Sequence, residues 1–256
     1  MLTITHEWCE PPDILTLCDD EIHIWRSSLD LRQHVVDRLL SFLTQDEHER
    51  AKRFVRPKDR DHFIVARGVL RHILSRYLPI GPGELRFCYN SYGKPALSYE
   101  TGASHIMFSV AHSHGLGLYA VTSGKAVGVD IEYIRSNINY EQIAASTFSA
   151  AENNALQLLP IELRLRAFFT CWTRKEAYIK ALGEGLSHPL DQFTVSLRPD
   201  EPAMLLQLDQ NPQENSSWSI RELQPGAGFV GAIVVAGRKG YLRCWQWATC
   251  GLDSIV

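Results

Sequence analysis

"VGVDIEYI", residues 127–134, carries the pattern on which the fold prediction rests. Side chains alternate between the two faces of a strand, so the odd-numbered positions form an apolar face fit for a core. Asp130 and Glu132 then lie side by side on the other face. Two neighbouring carboxylates repel each other unless a cation neutralises them. The stretch therefore predicts a half-buried strand that binds a cation, and a solvated edge strand is the alternative.

A second stretch, "CWTRKEAYIKALGEGL" from residue 171, favours the cation site. On a helix, Trp172, Glu176 and Lys180 recur every four residues and share one face. Glu176 would add a third carboxylate to the strand pair, and Mg²⁺ prefers a few carboxylates together with waters and phosphate oxygens. A surface Glu176–Lys180 pair worth a few tenths of a kcal/mol is the alternative. Gly183 is a plausible residue to end the helix.

Composition excludes several classes of protein. The chain has 256 residues and a net charge of −3, which does not indicate a broad nucleic-acid-binding surface. Its six cysteines lack C-x-x-C spacing, which argues against a zinc ribbon and for reduced thiols in the cytoplasm. We expect no secretory signal, because a basic segment followed by an apolar one is missing at the N-terminus. No apolar run is long enough for a membrane span.

The order of predicted elements indicates an α+β fold with an internal duplication. Each half contains a long helix, a Gly/Pro-rich turn region and a pair of strands, so we expect two similar α/β lobes related by pseudo-twofold symmetry. The predicted N-terminal lobe is 1–122 and the C-terminal lobe 123–256, with a ligand cleft between them. Helices are predicted at 44–54, 59–78, 149–159 and 165–182, and strands at 22–26, 85–89, within 105–124, 127–134, 191–197, 217–223, 228–237 and 242–248.

Taken together, "VGVDIE", "WTRKEAYIK" and "GEGL" resemble the two-lobed 4′-phosphopantetheinyl transferases of the surfactin-synthetase-activating type. In the first half "RFVRPKDRDHFIVARGVLR", "YGKP" and "FSVAHS" are also similar to that family, so the resemblance covers most of the chain. It implies the two-lobed transferase fold. It also implies that the phosphopantetheine arm of coenzyme A is transferred to a serine of an apo acyl or peptidyl carrier protein, with release of 3′,5′-ADP.

The resemblance also implies a role for each motif residue. Asp130, Glu132 and Glu176 would hold Mg²⁺ on the pyrophosphate, and Asp130, Glu176 and Lys180 would form the catalytic set. Glu176 or a metal-bound water would deprotonate the serine, while Lys180 would contact and neutralise the phosphate being transferred. Because the two lobes are fused in one chain, we expect a monomer.

Cations for the 3′-phosphate of coenzyme A are expected in the first half. Arg53 and Arg60 are favoured, since arginine grips phosphate bidentately. By resemblance, Lys94 in "YGKP" and His112 in "SVAHS" also contact coenzyme A. Many relatives carry serine before this histidine, where this chain has Ala111. A solvated face is an equally good interpretation for any single cation of the region, Arg53 and Arg60 included. The other cations are Lys52, Arg56, Lys58, Arg67 and Arg71.

Three further interpretations complete the sequence prediction. Ser149 and Glu152 form an S-x-x-E capping box, so we expect Glu152 to be structural although its stretch also matches the family. The carrier is expected to dock by apolar contact on Ile143, Phe148 and Leu156. Core packing is the alternative for all three, and it is the favoured role for Phe148. Two other functions remain open: a Mg²⁺-dependent enzyme that cleaves nucleotides or diphosphates with water, and a non-catalytic module that binds carrier or coenzyme A.

Overall fold

The computed structural model describes residues 7–102, 105–199, 201–208, 217–238 and 240–249. It has a mixed α+β fold, as predicted. The helices are α1 (Gln33–Leu40), α2 (Gln45–Lys52), α3 (Pro57–Ser75), α4 (Tyr140–Thr147), α5 (Ala150–Leu158) and α6 (Ile161–Leu182). The strands are β1 (Glu21–Ser28), β2 (Phe87–Tyr89), β3 (Pro95–Leu97), β4 (Ile106–Ser113), β5 (Leu116–Ser123), β6 (Val127–Tyr133), β7 (Phe193–Val195), β8 (Leu205–Leu208), β9 (Trp218–Leu223), β10 (Phe229–Ala236) and β11 (Tyr241–Gln246).

The two halves of the chain repeat one topology. Each runs from a strand through three helices and a short two-stranded hairpin to two further antiparallel strands. In the first half the strands pair in the order β1-β5-β4, and in the second half in the order β6-β10-β9. β1 thus corresponds to β6, and α3 to α6. The same strand order, built twice from sequences with little identity, supports the predicted duplication.

β11 departs from the predicted division of the chain. It follows the second repeat in sequence, yet it pairs in parallel with β1 along residues 21–26 and extends the first sheet to four strands. On the other side of β11, the backbone of Cys9 forms a single parallel β-bridge with Trp245. The tail of the predicted C-terminal lobe therefore completes the N-terminal sheet, and the division at 122/123 stays a prediction for the rest.

The apolar face of β6 joins the two halves. Val127, Val129 and Ile131 are at most 1% exposed and pack against Ile24 of β1 and Leu118 of β5. Two other hydrophobic clusters lie within the halves, one under α1 and α3 and one under α5 and α6. The predicted core face of this strand is confirmed, and its burial fixes the opposite face toward α6.

Local signals read from the sequence are mostly confirmed. Thr44 and Glu47 form the capping box of α2, and Gly183 ends α6 with a left-handed φ of 82°. The helices α1 and α4 and the strands β3 and β8 were missed, because each is short and only its tertiary packing makes its pattern decisive. Within the described ranges, every helix is too short or too polar to cross a bilayer.

Candidate active site

The polar face of β6 meets the C-terminal half of α6. The Lys180 ammonium lies 2.6 Å from Asp130 Oδ1, and the Asp130 side chain is only 8% exposed. Gly128 makes this approach possible: a Cβ at that position would lie 2.0 Å from the carbonyl oxygen of Ala177 and 2.4 Å from the Ala181 nitrogen. The helix backbone therefore rests directly on the strand, and the predicted pairing of the two motifs is confirmed.

Burial and crowding raise the proton affinity of the two inner carboxyls. Burial raises the pKa of Asp130 to about 7, against the opposing effect of Lys180, and the charges on Glu176 and Glu132 add to the rise. Burial also raises the pKa of Glu176, which Lys180 lowers and Glu132 raises. The three carboxylates are thus close enough to repel one another, as the sequence predicts for Asp130 and Glu132.

Glu132 stands at the more open end of the site. Its Oε2 accepts hydrogen bonds from Ser113 Oγ at 2.9 Å and from Arg135 at 3.3 Å. Ser113 Oγ also accepts from the backbone N–H of Tyr133, and Ser109 Oγ accepts from the N–H of Val129. Serines of β4 therefore satisfy the free edge of β6 and hold the first half of the chain against the acidic strand.

The donor set suits Mg²⁺ in chemistry, although the ligands are not gathered in advance. Asp130 Oδ2 is buried and has no hydrogen-bond partner among the described residues, so one oxygen is free to accept a cation. Carboxylate oxygens are the hard ligands that Mg²⁺ takes. Over the same described ranges, no three Asp, Glu, His or Cys side chains are clustered closely enough to hold a metal. Asp130, Glu132 and Glu176 would have to converge on binding.

His112 faces the same site from the first half. Burial lowers its pKa, the Lys180 charge lowers it further, and Glu132 opposes the change. His62 of α3 also lowers the pKa of His112, so the start of α3 lies near this end of β4. His62 and Lys58 contact Asp30 at 2.9 and 3.2 Å. Sequence spacing gives no signal for His62, because Asp30 and His112 approach it only through the fold.

The candidate phosphate-binding arginines fall into two groups, one exposed and one paired with a buried glutamate. Arg53 directly follows α2 and is exposed, and Arg60 is exposed in the first turn of α3, where it pairs with Asp61 at 3.0 Å. Both remain free to turn toward a ligand. Arg67 and Arg71, which share their helical face with Arg60, instead bind Glu47.

The Glu47 contacts make those two arginines structural. Arg67 Nε lies 2.5 Å from Glu47 Oε1, and Arg71 is 1% exposed with an NH2–Oε2 distance of 2.7 Å. Arg71 also donates to the carbonyls of Pro82 and Leu85. Since removing one partner of a buried ion pair costs about 3–5 kcal/mol, this set fixes α2 to α3.

Lys94 lies at the boundary between the halves, on the turn between β2 and β3. Its ammonium donates to the carbonyls of Val127, Lys180 and Ala181 at 3.1, 2.6 and 3.3 Å. Burial lowers the pKa of Lys94 to about 8. A contact from Lys94 to coenzyme A stays a prediction, and it would require these carbonyl contacts to be exchanged.

Glu152 forms the predicted capping box and more. Its Oε2 accepts from the Ser149 N–H at 2.8 Å, and its Oε1 accepts from the Val195 N–H at 2.7 Å. Its carboxylate is also 2.8 Å from the ammonium of Lys175, with exposures of 1% and 0%. Lys175 is the lysine of the "WTRKEAYIK" motif, so this motif residue serves the core on the face of α6 away from Asp130.

The apolar residues expected to receive the carrier are mostly buried. Phe148 and Leu156 are each 4% exposed and belong to the core under α6, so the core role favoured for Phe148 is confirmed and the prediction of Leu156 as a docking residue is wrong. Ile143 is half-buried against the same core. Trp172 also packs there, against Phe168. Apolar residue type alone does not distinguish a core position from a docking position.

Two cavities flank α6. The larger, about 1160 Å³, opens between the first half of α6, β9 and β11, and none of the motif carboxylates lines it. The smaller, about 240 Å³, lies between residues 92–95 and 108–110 of the first half and Lys180, Gly183 and Gly185 of the second. The smaller cavity adjoins Lys180 and is lined by residues of both halves, as a substrate site between them requires.

Comparison with known proteins agrees with this geometry. Residues 126–234 match the model of the 4′-phosphopantetheinyl transferase superfamily, and residues 25–126 match that of the 4′-phosphopantetheinyl transferase N-terminal region. The 4′-phosphopantetheinyl transferase HetI of Nostoc sp. is 38% identical over 95% of this chain and 100% of its own length. The chain belongs to the 4′-phosphopantetheinyl transferase superfamily.

Other members of the superfamily are more distant. The 4′-phosphopantetheinyl transferase Sfp of Bacillus subtilis is 28% identical over 80% of this chain and 88% of its own. The solved holo-[acyl-carrier-protein] synthase of Thermotoga maritima aligns with a TM-score of 0.34 and 19% identity, over 44% of this chain and 63% of that one. Family membership makes this chain a phosphopantetheinyl transferase by class, as its motifs predict.

Proposed function

We propose that this enzyme transfers the 4′-phosphopantetheine arm of coenzyme A to a serine of an apo acyl or peptidyl carrier protein. The serine Oγ forms a bond to the phosphorus that carries pantetheine. The bond from that phosphorus to the bridging pyrophosphate oxygen breaks, and 3′,5′-ADP leaves with that oxygen. The observation that carries the proposal is the junction of β6 and α6, where Lys180 sits 2.6 Å from Asp130 beside two further carboxylates.

Asp130, Glu132 and Glu176 are the proposed ligands of Mg²⁺, which supplies charge neutralisation of the pyrophosphate when bound. The unpartnered Oδ2 of Asp130 supports this assignment. Three carboxylates and a polyanionic substrate also require protein cations. Lys180, 31% exposed, would release Asp130 and neutralise the phosphate in transfer.

Glu176 is the proposed general base. Its carboxylate interacts with the charges of Asp130 and Lys180 beside it, and a water bound to Mg²⁺ is the alternative base. In the ionised form it accepts the serine proton as the Oγ–phosphorus bond forms. In phosphoryl transfer, positioning and charge neutralisation supply most of the rate, so the base adds to the work of Lys180.

Coenzyme A is proposed to bind between the two halves. The small cavity beside Lys180 is below the ~300–1,000 Å³ of typical ligand pockets, so it would hold only part of the molecule. The 3′-phosphate would lie toward the first half, on Arg53, Arg60 and His112. The positive N-terminal end of α3 favours an anion on that side.

The remaining aspects of the proposal concern partner and setting. Ile143 is the member of the predicted docking group that stays accessible, and it would contact the carrier beside Glu132. The two fused repeats share the core on β6, so we propose a monomer. The cysteines in the described part of the chain are unpaired, which supports a reducing compartment such as the cytoplasm.

The test combines the purified protein with coenzyme A and an apo carrier protein, with Mg²⁺ or with excess chelator. Intact mass spectrometry follows the carrier, and chromatography follows 3′,5′-ADP. We expect one phosphopantetheine per carrier and an equal amount of 3′,5′-ADP, with both products lost in chelator.

The alternatives give different products. Release of 3′,5′-ADP without a carrier, at the rate seen with it, would indicate a hydrolase that uses water. Binding of coenzyme A or carrier with no product would indicate a non-catalytic module. Either result would contradict the proposal.

A further inference from the structure

The turn between β2 and β3, in the first half, forms hydrogen bonds with the C-terminal end of α6, in the second half. Asn90 Nδ2 donates to the carbonyl of Gly183 at 2.7 Å. Asn90 Oδ1 accepts from the backbone N–H groups of Tyr92 and Lys94, which closes the turn. Gly93 at φ 82° completes it. The side chains of Asn90 and Lys94 are thereby aimed at the same helix end.

Lys94 ties together the two elements that carry the reactive side chains. The last carbonyls of a helix have no partner within the helix, and a lysine often satisfies them. Here the lysine lies 86 residues away in sequence from the carbonyl of Lys180, to which it donates at 2.6 Å. The same ammonium donates to Val127, the first residue of β6 and three positions before Asp130. One cation thus binds α6 and β6 at once.

The hydrogen bonds of Lys94 to β6 and α6 lie close to the two residues proposed to react, Asp130 on β6 and Lys180 on α6. Lys180 is held by its carbonyl to Lys94 and by its ammonium to Asp130. An ammonium has three N–H groups, and all three of Lys94 are used on carbonyl oxygens. In this arrangement it has no donor left for a phosphate of coenzyme A.

We propose that Lys94 is a positioning residue: by holding the last turn of α6 against the start of β6, it sets the placement of Lys180 relative to Asp130. The proposal rests on the proposed transferase function, for which that placement matters. It differs from the coenzyme A contact that resemblance implies for Lys94, and the two roles make opposite predictions for KM and kcat.

The test uses Lys94→Met, which keeps an unbranched stem of similar length and removes the donors. A misplacement of about 1 Å in a catalytic group costs up to ~100-fold in rate, so we expect kcat to fall about 10- to 100-fold. KM for coenzyme A should change by less than about threefold, and equally for 3′-dephospho-coenzyme A. Lys125→Met, in the turn before β6, is the matched control. If Lys94→Met does not fold, Asn90→Ala loosens the same helix end more gently and should lower kcat in the same way.

A double variant separates positioning from a general structural role. If Lys94 acts through Lys180, then Lys94→Met/Lys180→Met should be no slower than Lys180→Met alone, because residues acting as a unit are not additive. Multiplying losses would overturn the proposal. So would an unchanged kcat together with a KM for coenzyme A raised more than about tenfold, since that pattern is loss of ground-state binding.

Hydrogen exchange gives a readout that does not depend on turnover. Amides of the last turn of α6 and of residues 127–130 should exchange faster in Lys94→Met than in wild type or Lys125→Met. Unchanged exchange there would overturn the proposal even if activity fell. A wild-type protein that loads no carrier would refute the transferase function, while the exchange data would still decide whether Lys94 holds α6 to β6.

Discussion

Glu152→Gln should destabilise the protein strongly and leave the chemistry nearly intact. The substitution keeps the shape of the side chain and removes the negative charge that lies 2.8 Å from Lys175. Both side chains are at most 1% exposed, so water cannot replace the lost partner. Breaking a buried pair by removing one member typically costs about 3–5 kcal/mol.

The contacts of Lys175 set an upper limit on the loss. The ammonium keeps hydrogen bonds to the carbonyls of Leu190 at 2.6 Å and Phe193 at 2.5 Å, so it retains part of its solvation. With about 2–4 °C of melting temperature per kcal/mol, 3–5 kcal/mol corresponds to roughly 6–20 °C.

The assay pairs denaturant unfolding with initial rates of carrier loading measured well below the melting transition. Glu162→Gln, exposed in the first turn of α6, is the matched control and should shift stability by less than about 1 kcal/mol. In Glu152→Gln/Lys175→Met the second change removes the unpaired charge, so part of the lost stability should return. We expect kcat of the folded single variant within a few-fold of wild type.

Two results would refute this reasoning. One is a Glu152→Gln enzyme that melts within about 2 °C of wild type, a loss under ~1 kcal/mol, yet turns over at least ~100-fold more slowly, which would make Glu152 part of the chemistry. The other is a double variant less stable than the single one, which would mean that Lys175 does not depend on the charge of Glu152.

Three further predictions concern the junction of β6 and α6 and its substrate. Gly128→Ala places a Cβ 2.0 Å from the Ala177 carbonyl, so α6 must move and kcat should fall ~100-fold or more. The control Gly226→Ala has open space around it and should change neither kcat nor melting temperature. Because the pKa of Asp130 is about 7 and Mg²⁺ competes with its proton, the apparent dissociation constant for Mg²⁺ should rise about fivefold from pH 7 to pH 6 by calorimetry, and Asp130→Asn should remove that dependence. Arg60→Ala should raise KM for coenzyme A more than for 3′-dephospho-coenzyme A; equal increases would exclude Arg60 from the 3′-phosphate site.

Local periodicity predicted which side chains of β6 and α6 share a face at their junction. The two-residue repeat of β6 separates its core face from Asp130 and Glu132, and the helical repeat of α6 puts Glu176 and Lys180 on one side. Gly128 completes the pairing, since only a residue without a side chain lets the helix rest on the strand. These features lie within two short stretches, so local patterns could predict that they meet, while their roles in metal binding and catalysis stay predictions.

Long-range contacts explain what the sequence did not predict. β11 joins β1 through strand pairing across more than two hundred residues, which no local pattern specifies. Arg67 and Arg71 were candidate phosphate ligands, but both form buried ion pairs with Glu47 because α2 and α3 pack together. Motif position alone likewise does not reveal that Lys94 faces the end of α6.

The most direct test of the central claim is the single-turnover rate of carrier loading by Glu176→Gln at saturating Mg²⁺ and coenzyme A. If Glu176 is the proposed metal ligand and base, its loss removes several kcal/mol of transition-state stabilisation, so the rate should fall by about three orders of magnitude or more, at 1.36 kcal/mol per tenfold. The melting temperature should stay level or rise, because removing the charge relieves repulsion with Asp130 and Glu132. A folded Glu176→Gln enzyme that loads carrier within tenfold of wild type would contradict the assignment of this junction as the active site.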